Sequence, residues 1–400
     1  MECGGGNGHE EKCVDPASQL KATFKPELQT RVSLPRHSGV RLMSLGGWHA
    51  TLAPEASGPD FPRVDRFLES EAAAHALTFA FASGLIDRLA RRADTSVAGL
   101  AEELRVELPH AACLTGLLIG AGIAAEPASG RIGLSEAFRA VLPFRDLIEA
   151  KLAFAAAASE DLRWHFPAFV TDLPAFMAAS RTFALFRYDR CFEITPENLD
   201  ATRRWVAYTT CLTRYEAGPC FDRIEPGRHR RLLDLGGNSG EFAAQACRRA
   251  PALTATVFDL PVVCALGREN LAGRPDAARV AFHPGDMRCD PLPEGHDLIT
   301  FKSVLHDWPA EAVRALIGRA AHALAPGGRV VIYERAPMPL RERALGYVQS
   351  ADLVFQPFFR EADLYTETLA ALGFVDTTVR RLALETPFHL IEARKPGDMP

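Results

Sequence analysis

From Arg230 onward the chain changes texture, and that change limits the fold more than any other feature. "RRLLDLGGNSGEFAAQACRRA" reads as an apolar strand, a glycine turn and a helix, and "LTATVFDLPVVCALGREN" repeats strand, acidic turn and helix. "RVAFHPGDM", the long run from "HDLITFK" to "VVIYERAP", and the terminal "LGFVDTTVRRLALETPFHLIEARK" continue the alternation. Strands alternating with helices predict an α/β fold: a doubly wound, Rossmann-like, mostly parallel sheet covered on both faces. In such sheets ligands bind beyond the carboxyl ends of the strands, in the turns. His306, in "FKSVLHDWPAEA", falls in one of those turns. Its place favours a working proton acceptor over an imidazole packed under a helix.

At 400 residues the chain is too long for one ordinary core, so more than one domain is expected. Residues 1–60 are rich in Gly, Pro, Ser and charge, and bury too little apolar surface to offset ordering entropy, so they read as a poorly ordered leader. A second methionine, Met43, makes part of that leader a candidate start-site extension. Residues 61–221 are helical in pattern. "RFLESEAAAHALTFAFASGLIDRLARR" has apolar i, i+3, i+4 spacing, and "TSVAGLAEELRVELPHAACLTGLLIGAGIAAE" offers a cap at Thr95 or Ser96 and further helices. With the strand pair in "GRIGLSEAFRAVL", this predicts an all-α, winged-helix-like unit. Glu102, Glu103 and Glu107 on its presumed second helix argue for packing or dimerisation over DNA reading. Residues 222–400 form the ligand-binding domain. The aromatics over 151–221, among them Trp164, Phe186, Tyr188, Trp205 and Tyr208, are expected to be mostly core, with some lining an apolar pocket.

The formal charge of −5 leaves no basic footprint for nucleic acid or an acidic membrane. No apolar run approaches the roughly twenty residues of a membrane span, and the N-terminus lacks the apolar core of a signal peptide. Nine scattered cysteines without CxxC pairs read as reduced thiols in a cytoplasmic protein. His283, Cys289 and His296 are close in sequence, but no metal is expected there.

The glycines of "DLGGNSG" stand at 236, 237 and 240, which does not match G-x-G-x-x-G. The next turns strengthen the site. Asp259 ends the second strand, nineteen residues after Gly240, where a carboxylate accepts hydrogen bonds from ribose hydroxyls. Asp286 follows the third strand, placed for an adenine amino group, with Met287 to pack on the ring. Two acids would repel a phosphate-rich ligand, whereas a positively charged nucleoside suits them.

"DLGGNSG", "FDLPVV", "GDM", "FKSVLHDW", "ALAPGGRVVIYE" and the late "LGF" together resemble the class I S-adenosylmethionine-dependent methyltransferases, and among them the small-molecule O-methyltransferase family of plant caffeic-acid-type and bacterial natural-product-tailoring enzymes. The resemblance runs from about residue 65 to the C-terminus. It implies a helical dimerisation domain joined to a Rossmann-like catalytic domain, S-adenosyl-L-methionine as cofactor, a small-molecule acceptor and a homodimer. By the same resemblance Gly236 meets the methionine part of the cofactor, Asp259 the ribose, Asp286 with Met287 the adenine, and Gly237, Leu260 and Lys302 are cofactor-binding too. His306 is implied as general base and Glu334 as a glutamate that holds it.

Two departures stand out. Asn238 and Ser239 replace a glycine and a threonine of the family's turn. Counting back from Gly373-Phe374, Phe359 takes the place of a second histidine-orienting glutamate, with Glu361 two positions away. Glu334 alone, Glu361, or an acceptor needing little help are the open answers, which keeps N- or C-methylation and non-methylating chemistry as alternatives. Asp307, in "DWPAEA", reads as a helix-start residue.

Overall fold

The computed structural model describes residues 61–68, 71–91, 95–128, 130–342 and 345–397. The leader expected over 1–60, Met43 included, lies outside them. The N-terminal elements are α1 (Glu71–Ala82), α2 (Leu85–Arg91), β1 (Thr95–Ser96), α3 (Val97–Leu104), α4 (Leu108–Gly120), β2 (Ala124–Ala128) and β3 (Arg131–Leu134). Of the two expected caps, Ser96 serves: its extended backbone lets Oγ accept the Gly99 N–H at 3.1 Å. The strands form a small antiparallel sheet in the order β1-β3-β2, the wing of a winged helix. Leu77, Leu89, Leu118 and Phe138 fill the core beneath it.

Two long helices follow, α5 (Arg145–Thr171) and α6 (Pro196–Phe221). Thr195 caps α6 through the Asn198 N–H at 3.1 Å, and Pro196 sits in the first turn, where its missing N–H costs nothing. The end of α6 already belongs to the sheet, since Ala217, Cys220 and Phe221 pack in the sheet's own core.

The sheet comprises β4 (Arg231–Leu235), β5 (Thr254–Asp259), β6 (Val280–Pro284), β7 (His296–Lys302), β8 (Leu324–Arg335), β9 (Val375–Ala383) and β10 (Pro387–Arg394). Between them run α7 (Glu241–Arg249), α8 (Pro261–Leu271), α9 (Ala310–Ala323) and α10 (Asp363–Ala371). The strand order is β6-β5-β4-β7-β8-β10-β9, with β4 to β8 parallel and β10 antiparallel to both neighbours. Residues alternate between faces: Leu232, Val331 and Tyr333 join one core, and Leu233, Val330 and Ile332 the other. Burial on both sides is why these strands read as unbroken apolar runs. From β4 the chain steps outward to β6, then returns to β7 on the other side. That reversal between β4 and β7 is the switch point where such sheets open a crevice. Among the described residues, no helix is long and apolar enough to cross a membrane.

Candidate active site

The loop after β4 approaches its neighbours too closely for side chains. A Cβ on Gly236, at φ 66°, would stand 2.5 Å from Val304 Cγ2, and one on Gly237 would stand 2.6 Å from Asp234 Oδ2. Asn238 takes φ 56°, a left-handed conformation that Asn tolerates better than most residues, which accounts for its replacing glycine. Its N–H donates to Asp259 Oδ2 at 2.8 Å and its Nδ2 to Thr209 Oγ1 of α6 at 2.9 Å.

Asp259 also accepts the Leu260 N–H, at 2.7 Å. Burial pushes the Asp259 carboxyl up to about 6, against the pull of these two backbone donors. Each oxygen keeps a lone pair for a ligand hydroxyl. Asp286 is more committed. Its carboxylate is clasped by Arg288, Nη2 to Oδ2 at 2.6 Å and Nε to Oδ1 at 2.9 Å, and Arg288 lies over the Trp308 ring, 4.8 Å from its centroid. Met287 lines the same pocket.

Lys302, at the end of β7, is turned toward α6. Its Nζ donates to Thr213 Oγ1 at 3.0 Å and to Glu216 Oε2, while Arg335 Nη2 donates to Glu216 Oε1 at 2.7 Å. Glu216 is fully buried between these two cations, and they hold its carboxyl below the usual range although burial pushes it up. No motif marks Glu216 or Arg335 in the sequence; only folding brings α6 over the strand ends.

His306 occupies a single 3₁₀ turn, Leu305–Asp307. Glu334, at the end of β8 and fully buried, holds that turn twice. Its Oε1 accepts the Val304 and Leu305 N–H groups, each at 2.6 Å, and its Oε2 is 2.7 Å from His306 Nδ1. Arg360 secures the turn from the other side through the Leu305 carbonyl at 3.2 Å. Nε2 faces Asp307 Oδ1 at 3.5 Å, and Asp307 Oδ2 accepts the Tyr188 hydroxyl at 2.7 Å. Asp307 is therefore not a helix-start residue: α9 begins at Ala310 with Pro309 in the cap position, too far along for the Asp307 carboxylate. Burial disfavours a charge on His306, but Asp307 and Glu334 outweigh it and hold the imidazole above its ordinary pKa.

Phe359 presents its ring to His306 edge-on, centroids 5.6 Å apart at 83°. It gives the imidazole a wall and no hydrogen bond. Glu361 does not substitute, since its carboxylate meets His389 Nε2 at 3.4 Å and Arg381 Nη1 at 4.0 Å.

Of the nine sequence-predicted site residues, eight line one pocket, namely Gly236, Gly237, Asp259, Leu260, Asp286, Met287, Lys302 and His306, while Glu334 lies behind His306. Aromatic side chains from α5 and α6 close it, with Phe154 stacked on Tyr208 (4.1 Å, 20°). Six buried polar atoms without a hydrogen-bond partner among the described residues belong to this lining: Trp205 Nε1, Asp234 Oδ2, Asn238 Oδ1, Ser303 Oγ, Trp308 Nε1 and Arg335 Nη1. Buried polar groups are ordinarily satisfied, so their gathering here marks a binding site. Among the described residues no group of three or more His, Cys, Asp or Glu could hold a metal. His283 stacks on Phe258, and His296 meets the Pro293 carbonyl at 3.1 Å.

Residues 219–374 match the family model described as an O-methyltransferase domain. The 3-hydroxy-5-methyl-1-naphthoate 3-O-methyltransferase of Streptomyces sahachiroi is 40% identical over 105 residues, 26% of this chain and 30% of that protein. The acetylserotonin O-methyltransferase of Gallus gallus is 36% identical over 209 residues, 49% of this chain and 59% of that one. The matches thus span about 30% to 59% of these curated relatives. Human N-acetylserotonin methyltransferase, solved in complex with SAM, shares the fold with a TM-score of 0.64 at 20% identity, over 81% of this chain and 94% of that one. Strand order, pocket and sequence match agree in likening residues 219–374 to an O-methyltransferase domain.

Proposed function

We propose that the protein transfers a methyl group from S-adenosylmethionine to an oxygen of a small aromatic or natural-product-like acceptor, with His306 receiving the acceptor's proton. One observation carries this reading: the glycine turn, Asp259 and a histidine clasped by a buried glutamate converge on one pocket at the switch point. The curated relatives named above are themselves O-methyltransferases.

The residues fit such a cofactor. The floor at Gly236 and Gly237 has no room for a Cβ, the Asn238 and Ser303 side chains hold unpaired polar atoms, and Asp259 faces the same space. Gly236 and Gly237 would take the methionine part, Asp259 with Leu260 the ribose, and Met287 the adenine face. Asp286 would act with Arg288 as a pair, and Lys302 through its contacts to Thr213 and Glu216. When bound, the cofactor supplies a methyl group on a cationic sulfur, open to in-line displacement by an oxygen.

The chain's own contribution is to hold the acceptor and take its proton. Glu334 fixes Nδ1 of His306 as the protonated nitrogen, which leaves Nε2 to accept. Asp307, 3.5 Å from Nε2, stabilises the imidazolium that results and supplies the second carboxylate that Phe359 does not. General-base assistance of this kind is worth roughly 10²–10⁴-fold in rate. In this reading residues 61–221 roof the pocket, 222–400 bind the cofactor, and the enzyme works in the cytoplasm as a homodimer. The exposed Trp164 (67%), Phe166 and Val170 of α5 offer an apolar face for a second copy.

Incubation with methyl-labelled S-adenosylmethionine and hydroxyaromatic acceptors should yield labelled ether and S-adenosylhomocysteine in equal amounts. Product without S-adenosylhomocysteine would overturn methyl transfer. Light scattering should give twice the chain mass, reduced by Trp164→Glu; a monomeric wild type would overturn the dimer.

A further inference from the structure

Arg335 follows Glu334 on β8, so strand alternation turns its side chain away from His306 and toward α6. Nη2 is bound by Glu216 at 2.7 Å. Nε stands 3.9 Å from Asp352 Oδ1. Nη1 is buried and has no hydrogen-bond partner among the described residues. Asp352 lies on the short helix Ser350–Leu353, and among the described residues its contact with Arg335 is its only ion pair. Burial and then Glu385 push the Asp352 carboxyl up to about 7, against the pull of Arg335 and Lys151. Asp352 is half-buried and its contact with Arg335 is long, and Arg335 Nη1 beside it lacks the partner that a buried guanidinium N–H calls for.

Arg335 and Asp352 both line the pocket that contains His306. The wall beside them is aromatic: Phe154 stacks on Tyr208, Phe355 lies 8° from parallel to Phe154 at 6.2 Å, and Phe186 meets both Phe154 and Phe355 edge-on. Such a wall suits a flat ring system. A guanidinium N–H and a neighbouring carboxylate at its edge suit a group that accepts one hydrogen bond and donates another.

We propose that Arg335 and Asp352 form the recognition end of the acceptor pocket and read a donor–acceptor edge, such as a carboxamide, on a planar aromatic acceptor whose other edge carries the reacting oxygen. This rests on the methyl-transfer reading above. The carboxamide oxygen accepts from Arg335 Nη1 and its N–H donates to the Asp352 carboxylate. A ring without that edge leaves the buried Arg335 Nη1 unsatisfied and offers Asp352 nothing. At a pH above about 8, where Asp352 is ionised and at which the binding is compared, a carboxylate satisfies Arg335 but sets a second negative charge against Asp352. Both arrangements therefore bind less well than the amide.

The test is calorimetric titration of the full-length protein with 6-hydroxy-2-naphthamide, 6-hydroxy-2-naphthoate and 2-naphthol, with and without saturating S-adenosylhomocysteine. The amide is expected to bind about tenfold or more tightly than either competitor. Asp352→Asn, nearly isosteric and able to donate to a carboxylate, should shrink the amide-over-carboxylate ratio about tenfold. Equal binding of amide and naphthol, no binding by any of the three, or an unchanged ratio in Asp352→Asn would each overturn the proposal. Failure of S-adenosylhomocysteine itself to bind would instead count against methyl transfer, and the ranking measured without it would still decide the role of Arg335 and Asp352.

Discussion

A base must be neutral before it can accept a proton, and the two carboxylates around His306 work against that by holding its pKa above the ordinary value near 6.5. The rate should therefore rise with pH along a limb whose midpoint lies above 6.5. Glu334→Gln removes the charge that is hydrogen-bonded to the ring, so the midpoint should move down while kcat falls by roughly 10²-fold or more as the ring loses its fixed tautomer. A midpoint that stays put would show that the limb does not belong to His306. The sign carries over to stability. His306 binds its proton more readily folded than unfolded, so its contribution is complete below about 6.5 and is lost as pH rises through the folded value. Glu334 is held below its ordinary value, so its contribution is present above about 4.5 and is lost as pH falls. Phe359 was legible by counting from the following glycine. Asp307 was misread because a Pro two residues later resembles a helix start, whereas the helix leaves from Pro309 itself.

The strand-end turns are the elements the sequence displayed best, because an apolar run followed by glycine or aspartate has few other uses. What could not be read is how tightly one turn presses on another. The Gly236 turn meets the His306 turn at Val304, where there is room for no Cβ. Gly236→Ala should therefore weaken S-adenosylhomocysteine binding more than tenfold, through steric displacement and a left-handed backbone that costs about 1–2 kcal/mol for a residue with a Cβ. Adding Val304→Ala should restore part of the affinity, relieving the clash but not the backbone strain. A double variant no better than the single one would place the whole cost in φ. The helix α6 shows the converse limit. Its Thr209, Thr213 and Glu216 lie four and three residues apart, on one face, yet nothing in "AYTTCLTRYEAG" says that this face covers the strand ends.

Across the whole molecule, buried charges form one chain from the pocket to the helical N-terminal part. Lys302 and Arg335 share Glu216, Arg335 stands 4.0 Å from Glu385, and Lys151 of α5 is paired with Glu385 at 2.8 Å and with Asp65. Its members come from α5, α6, β7, β8, the β9–β10 turn and the helix Phe61–Asp65, elements far apart in sequence, so composition could not reveal it. Lys151 is the link between the helical part and the sheet. Its ammonium is held well above its ordinary pKa by Glu385 and Asp65, which overcome the opposing effect of burial. Lys151→Met keeps most of the side-chain volume but sets the buried Glu385 and the half-buried Asp65 carboxylates facing each other without the cation between them. That should cost about 3–5 kcal/mol of unfolding free energy, read as a lower denaturant midpoint at unchanged slope. Adding Asp65→Asn and Glu385→Gln removes the repulsion and should recover much of the loss, because a neutral cluster needs no counter-ion. If the triple variant is as unstable as the single one, Lys151 acts through packing of its stem, and the charge chain does not join the two parts of the molecule.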